Sequence, residues 1–106
     1  MPKFMFQGSY TPSGAAGLMK EGGSGRARET ESLVQGLGGK VEAYYFAFGE
    51  VDFVLIADLP DDASAVAASL TAGSSGAIKV TTTRLLTPSD IDAASGIDVG
   101  YRAPGD

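Results

Sequence analysis

Four side chains in this sequence could form a chemically active site, and the central one is Asp52. This carboxylate stands at the turn of an apolar hairpin, one residue inside a predicted strand and on the same side as Tyr45. In a semi-enclosed site, burial raises the proton affinity of a carboxylate, which makes it a usable general base. A tyrosine beside it can orient a substrate or donate to a developing oxyanion. The sequence therefore predicts Asp52 as a catalytic base and Tyr10, Tyr45 and Arg84 as ligand-binding residues.

A structural role is the simpler alternative for Asp52. Its carboxylate could accept hydrogen bonds from the amides of the turn, or it could pair with Arg84 on the last predicted strand. Either arrangement would leave a structural contact and no free base. Both interpretations stay open at the level of the sequence.

The absence of two residue types excludes several classes of site. The chain contains no cysteine and no histidine. Disulfides, thiolate catalysis and cysteine-ligated metals are therefore impossible within this chain, and so is a Ser-His-Asp triad. We expect neither a metal site nor a cofactor.

Charge and hydropathy limit the classes of partner. The net charge is -5, so the chain lacks the basic footprint that binds a nucleic-acid backbone. The one local basic cluster, Lys20, Arg26 and Arg28, is interleaved with Glu21, Glu29 and Glu31. No apolar run is long enough to span a bilayer, and the N-terminus lacks a signal-peptide layout. We expect no nucleic acid and no membrane as partners, and a soluble cytoplasmic protein.

Hydrophobic periodicity and turn residues predict the element order β-α-β-β-α-β. Strands are predicted at residues 3–10, 40–48, 51–58 and 77–86, and helices at 13–20, 25–37 and 63–72, with a short last helix to Ala94. A glycine cluster near Gly22 breaks the first helical region, and Ser24 is the predicted N-cap of its second part. This order predicts an α+β, ferredoxin-like fold whose four-stranded antiparallel sheet carries its helices on one face.

The length of the chain predicts a single domain. We assign residues 1–95 to the ferredoxin-like domain and residues 96–106 to an irregular C-terminal tail. The tail contains glycine and proline and has few apolar residues, which is typical of irregular structure.

The central hairpin is apolar on both faces. A two-residue turn at residues 49–50 would pair Phe46 with Phe53 and Tyr44 with Leu55 on one side. The other side carries Ala43, Tyr45, Ala47, Asp52, Val54 and Ile56. Helices on one side can cover only one of these faces, whereas a sheet with a solvated face normally alternates apolar and polar residues.

The second face therefore needs a cover, and the predicted cover is another copy of the chain. Burial of ~600 Å² per subunit would contribute on the order of 15 kcal/mol before association entropy and desolvation are subtracted. The sequence predicts a homodimer or a higher homo-oligomer on this basis. The alternative is that the chain after Ile91 folds back over the face.

Five segments carry a family resemblance, namely residues 10–12 (Tyr-Thr-Pro), 37–40, 42–50, Asp58–Asp62 and 86–88. Together they resemble the GYD domain family over nearly all of residues 1–92. The tyrosine of the family's Gly-Tyr-Asp signature stands here as Val51, while Gly49 and Asp52 match it. The resemblance implies a relation to the dimeric α+β barrel proteins, in which two ferredoxin-like sheets close against each other. It implies no particular reaction.

Three functions are consistent with these residues. One is the binding of a small, partly apolar organic molecule in a pocket of an oligomeric α+β barrel. Another is a metal-free, cofactor-independent proton-transfer enzyme that uses the same pocket. A third is a structural or interaction module without a ligand. A pocket beside Asp52 would favour the first two, and a filled interface would favour the third.

Overall fold

The computed structural model describes all residues from Met1 to Asp106. Its element order confirms the β-α-β-β-α-β prediction, with the first helical region divided in two and a short helix after the last strand. The elements are β1 (Lys3–Tyr10), α1 (Pro12–Glu21), α2 (Gly23–Gly36), β2 (Lys40–Phe46), β3 (Phe53–Asp58), α3 (Asp62–Ser74), β4 (Ile78–Leu85) and α4 (Pro88–Ser95).

The four strands form one open antiparallel sheet in the order β2-β3-β1-β4. The first strand lies in the middle and pairs with both β3 and β4. This arrangement is that of the ferredoxin-like split β-α-β fold, so the predicted fold class is confirmed.

The hairpin of β2 and β3 has the predicted register. Phe46 opposes Phe53 and Tyr44 opposes Leu55. At Glu42 a β-bulge adds one residue to β2, so that Val41 pairs with Ala57 directly after Ala43 pairs with Ile56. Because side chains alternate between faces, this register decides which set of aromatic residues meets the helices.

The connection of this hairpin differs from the prediction. The two-residue turn at residues 49–50 is replaced by a loop over residues 47–52, and Asp52 therefore lies in the loop and not inside a strand. The backbone N–H of Asp52 donates to the carbonyl oxygen of Gly8 at 2.7 Å, which ties the loop to β1. The carbonyl of Asp52 accepts the N–H of Ala47 at 2.8 Å, so this end of the loop is bonded both to β1 and across the hairpin.

A glycine with a left-handed backbone divides α1 from α2. The N–H of Gly22 donates to the carbonyl of Leu18 at 2.7 Å and so ends α1. The φ angle of Gly22 is +84°, a conformation that favours glycine. The next helix starts directly at Gly23, so Ser24 lies inside its first turn and the prediction of Ser24 as N-cap is wrong.

The other helices begin at side-chain caps that the sequence indicates. Thr11 caps α1 and accepts the N–H of Gly14, and a proline follows at the first helical position. Asp61 caps α3. Thr87 and Asp90 form a reciprocal capping box at the start of α4.

A small apolar core lies between one sheet face and the helices. It consists of Phe4, Phe6, Val34, Leu55, Ala57, Leu59 and Ala65. The face that carries Tyr44, Phe46, Phe53 and Leu55 is therefore the helix-covered one. Only 10 of the 106 residues are buried, so most of the chain's apolar surface lies at or near the outside.

The opposite sheet face, which we call the open face, has polar side chains on β1 and β4, such as Lys3, Gln7, Thr81 and Thr83. Its apolar side chains are Met5, Ala43, Tyr45, Val54 and Ile56. Four of these apolar side chains are half-buried among their neighbours in the sheet, while Tyr45 is 70% exposed. No helix of the chain packs on this side, since α1, α2 and α3 cover the other face.

The segment after β4, residues 86–106, projects away from the sheet, and we call it the C-terminal arm. All of its residues except Ala103 are exposed, so it does not fold back over the open face. The molecule measures 58 × 32 × 23 Å with a radius of gyration of 17.1 Å. A compact chain of this length would have a radius of gyration of about 13 Å.

No helix of the protein combines the length and the apolar character that a bilayer crossing requires. The longest helix is α2 with 14 residues, and it carries several charges along its length. A membrane-spanning helix needs about 20 mostly apolar residues.

Two glycines of α1 provide a matched test of this packing. A Cβ at Gly14 would lie 1.9 Å from the carbonyl oxygen of Ala77, whereas a Cβ at Gly17 would meet nothing within 4 Å. The same carbonyl accepts the N–H of Thr11 at 2.9 Å, so α1 cannot shift without losing that bond. We predict that Gly14→Ala lowers the free energy of unfolding by about 2 kcal/mol or more.

Gly17→Ala is the control, because alanine has the higher helix propensity and meets no obstacle. It should raise the free energy of unfolding by about 0.5–1 kcal/mol. Chemical denaturation of both variants measures the difference. Equal stabilities would contradict the close contact between α1 and the start of β4.

Candidate functional site

A cavity of about 500 Å³ lies between the sheet and the helices, and we call it the helix-face cavity. Its floor is formed by Phe6, Tyr44, Phe53, Leu55 and Val80, and its walls by α1, α2 and α3. The cavity exists because α2 packs over β2 and α3 packs over β4, while α2 and α3 barely touch each other. Its size and mostly apolar lining are typical of small-molecule sites.

Small residues on the helices leave this space unfilled. From α3, the side chains that reach the cavity include Ala68, Ser69 and Ala72. From α1, the wall includes Gly17, where an added Cβ would meet no atom within 4 Å. Larger apolar residues at these positions would fill the space between the helices and the sheet.

Two tyrosines bring hydroxyl groups to this apolar cavity. The ring of Tyr10 packs against Phe53 with centroids 5.7 Å apart, and the ring of Tyr44 packs against Phe46 at 5.3 Å. Partial burial raises the pKa of Tyr10 above its ordinary value, and the neighbouring Tyr44 hydroxyl raises it further. Tyr10 is therefore a neutral phenol at physiological pH, able to donate and to accept a hydrogen bond.

One cation, Arg26, and one carboxylate, Glu21, also line the cavity. The Nη1 atom of Arg26 lies 3.4 Å from Oε1 of Glu21, and both side chains are about two-thirds buried. This separation exceeds the N–H···O hydrogen-bond range of about 2.7–3.2 Å. The positive charge of Arg26 acts on Tyr10 and partly opposes the rise of that hydroxyl's pKa. Glu21 ends α1 and Arg26 lies in the first turn of α2, so this ion contact spans the break at Gly22.

Asp52 holds the end of β1 in place. Its Oδ2 accepts the backbone N–H of Tyr10 at 2.9 Å, while its own N–H donates to the carbonyl of Gly8 at 2.7 Å. The side chain of Asp52 does not line the helix-face cavity. It lines an adjoining recess of about 350 Å³ together with Tyr10 and Phe46. Asp52 therefore positions the backbone of Tyr10 between the recess and the cavity.

Of the four predicted site residues, the structure brings Tyr10 and Asp52 together and separates the other two from them. Tyr45 lies on the open face, opposite the cavity. Arg84 lies over the ring of Phe4, 5.9 Å from its centroid, and contacts a carboxylate oxygen of Asp62 at 3.9 Å. The alternative ion pair between Asp52 and Arg84 is thus not formed, and the functional roles predicted for these residues stay predictions.

Sequence reasoning missed Arg26 and Tyr44, although α2 contains a signal for the former. The apolar stripe of this helix includes Leu33, Val34 and Leu37. Arg26 precedes these residues by seven, eight and eleven positions, which places it on the same helical face. A cation that continues the line of an apolar stripe indicates a polar function for that face, although Glu29 and Thr30 stand between Arg26 and the apolar residues.

Residues 4–95 match the family model of the GYD domain. No curated protein and no solved structure gives a match. The matched range includes all four helices and all four strands except Lys3, so it contains the whole helix-face cavity. The resemblance noted in the sequence is therefore confirmed, and this chain belongs to the GYD domain family.

Proposed function

We propose that this protein binds a small, partly apolar organic molecule in the helix-face cavity. The observation that carries the proposal is the unfilled space of about 500 Å³ between the sheet and the helices α2 and α3, which do not meet over it. Its aromatic floor suits a planar apolar group, and the hydroxyls of Tyr10 and Tyr44 can orient polar atoms of the ligand.

Energetics support a ligand in this position. An unfilled apolar cavity forfeits the dispersion contacts that its walls would otherwise make. A ligand that binds only the folded chain stabilises it by about 2.7 kcal/mol at a concentration of one hundred times Kd. With only 10 buried residues, the domain has a small core that such a ligand would enlarge.

A proton-transfer enzyme is the second candidate, and Asp52 is its proposed base. The support for it is the recess that Asp52 shares with Tyr10, which adjoins the cavity. The hydrogen bond from the N–H of Tyr10 to Oδ2 of Asp52 weighs toward a positioning role instead. A structural module without a ligand is the third candidate, and it offers no reason for an open cavity.

We further propose that a second copy of this chain covers the open face. The apolar centre of this face, formed by Met5, Val54 and Ile56, has no helix over it. The C-terminal arm also exposes apolar side chains, with Val99 72% and Tyr101 76% exposed. A two-fold dimer would cover both surfaces at once, because each copy supplies an open face and an arm to the other.

The binding proposal predicts that a filled cavity no longer accepts a ligand. Ala72→Phe, on the cavity side of α3, should abolish the thermal stabilisation that ligands from a small-molecule screen give the wild type. Ala67→Phe is the matched control, because Ala67 is exposed on the same helix and does not line the cavity. It should retain binding. Loss of binding in both variants, or in neither, would contradict the location of the site.

The same screen on Asp52→Asn separates binding from catalysis. Asparagine keeps an oxygen that can accept the N–H of Tyr10, so we expect the fold and the ligand stabilisation to persist. If a ligand that the wild type converts stays unconverted in the variant while it still binds, Asp52 is the proton-transfer group. If binding itself is lost from a folded variant, the positioning role is wrong.

The assembly proposal predicts a dimer that depends on the open face. Sedimentation equilibrium at micromolar concentration should give twice the mass of the chain for the wild type and the monomer mass for Ile56→Lys, since a buried lysine without a partner opposes association. Val66→Lys, an exposed aliphatic residue on α3, is the control and should stay dimeric. A monomeric wild type would contradict the proposal.

A further inference from the structure

We infer that the ligand of the helix-face cavity is an apolar monocarboxylate whose carboxylate binds Arg26 in exchange for Glu21. The inference rests on the proposed binding function and adds the chemical class of the ligand. It depends on the position of Arg26, on the weakness of its present contact with Glu21 and on the mostly apolar lining of the cavity.

The position of Arg26 calls for a partner of opposite charge. Its side chain is about two-thirds buried and lines a cavity whose other walls are mostly apolar. A guanidinium carries five N–H donors in a planar fork that matches a carboxylate in two parallel hydrogen bonds. In this structure the fork has a single ion contact at 3.4 Å and no hydrogen bond from its side chain, so its donors are available.

Glu21 is a displaceable counter-ion. It is the last residue of α1 and its side chain is about two-thirds buried, so it neutralises Arg26 while the cavity is empty. A ligand carboxylate can approach from the cavity and form the two parallel hydrogen bonds that the Glu21 contact lacks. Glu21 then needs only to turn toward solvent, because the glycine at position 22 leaves the junction of α1 and α2 without a side chain of its own.

The surroundings favour a carboxylate over other anions. A phosphate dianion would need more than one cation, yet the other basic residues of this cluster, Lys20 and Arg28, are exposed and do not line the cavity. The aromatic floor requires an apolar body on the same molecule. The hydroxyl of Tyr10, which lines the same cavity as Arg26, can donate to a carboxylate oxygen.

Paired acids and amides of the same shape test this inference. The probes are phenylacetate and cinnamate with their uncharged partners phenylacetamide and cinnamamide, titrated calorimetrically at pH 7. The wild type should bind each acid at least about tenfold tighter than its amide, as expected for a charge-assisted pair. Arg26→Gln should erase this preference by weakening the acids alone. Arg28→Gln, the same change of charge on an exposed side chain of the same helix, should keep it.

A gain of affinity provides a readout that misfolding cannot imitate. Glu21→Gln removes the competing carboxylate, so it should tighten binding of the acids several-fold and leave the amides unchanged. Equal binding of acids and amides by the wild type would overturn the carboxylate inference while the binding function stands. The carboxylate inference would also be overturned, and the binding function kept, if neither acid binds but another molecule binds the wild type and does not bind Ala72→Phe. If no molecule of the screen binds at all, both the inference and the proposed function are wrong.

Discussion

Both faces of the central β2–β3 hairpin carry apolar side chains, and the helices of the chain cover only one of these faces. The hairpin pairs aromatic and aliphatic residues on one side and places Val54 and Ile56 on the other. The helices cover the first side only, and even there α2 and α3 do not meet. The small core, the helix-face cavity and the uncovered face all follow from this one constraint. Each is a place where apolar surface remains available to a second molecule.

Backbone contacts fix the positions of the elements that surround the helix-face cavity. Gly14 allows α1 to approach the carbonyl of Ala77, and no larger residue fits at that point. At the same C-terminal end of β1, Asp52 accepts the N–H of Tyr10 and thereby sets the position of that ring at the cavity wall. Rigid backbone contacts at the end of β1 and small side chains on the cavity wall are compatible with a preformed site. A preformed site loses less conformational entropy when it binds than one that must first become ordered.

The order of the elements, the break at Gly22 and the hairpin register were predictable from the sequence because each depends on local patterns. The alternation of residues in the strands, the glycine cluster and the Thr-Pro helix starts are signals of this kind. The connection over residues 47–52 was not predictable, because the N–H of Asp52 bonds to a carbonyl that is 44 positions away in the chain. Local turn preferences contain no information about such a partner. Ser24 failed as a cap for a related reason, since the conformation of Gly22 let the helix start earlier.

The site itself was only partly predictable. Tyr10 was identified as a ligand-binding residue, and it lines the cavity. Tyr45 and Arg84 were grouped with it on the assumption that polar groups near the hairpin converge, yet the pleat directs Tyr45 to the open face. The cavity escaped prediction because it depends on the distance between α2 and α3. The small residues of α3 are equally compatible with close packing on the sheet, and only the three-dimensional arrangement decides between the two.

The central claim is that the space between the helices and the sheet stays open and apolar in solution. Xenon binds to apolar cavities, and methyl chemical shifts report where it binds. In a xenon titration followed by NMR, we predict concentration-dependent shifts of the methyl groups of Leu33, Leu55 and Val80, which line the cavity. The methyl groups of Val66 and Leu70, which do not line it, should shift little. Absence of shifts at the cavity residues, or equal shifts at all methyl groups, would show that α2 and α3 close over the sheet and would contradict the account.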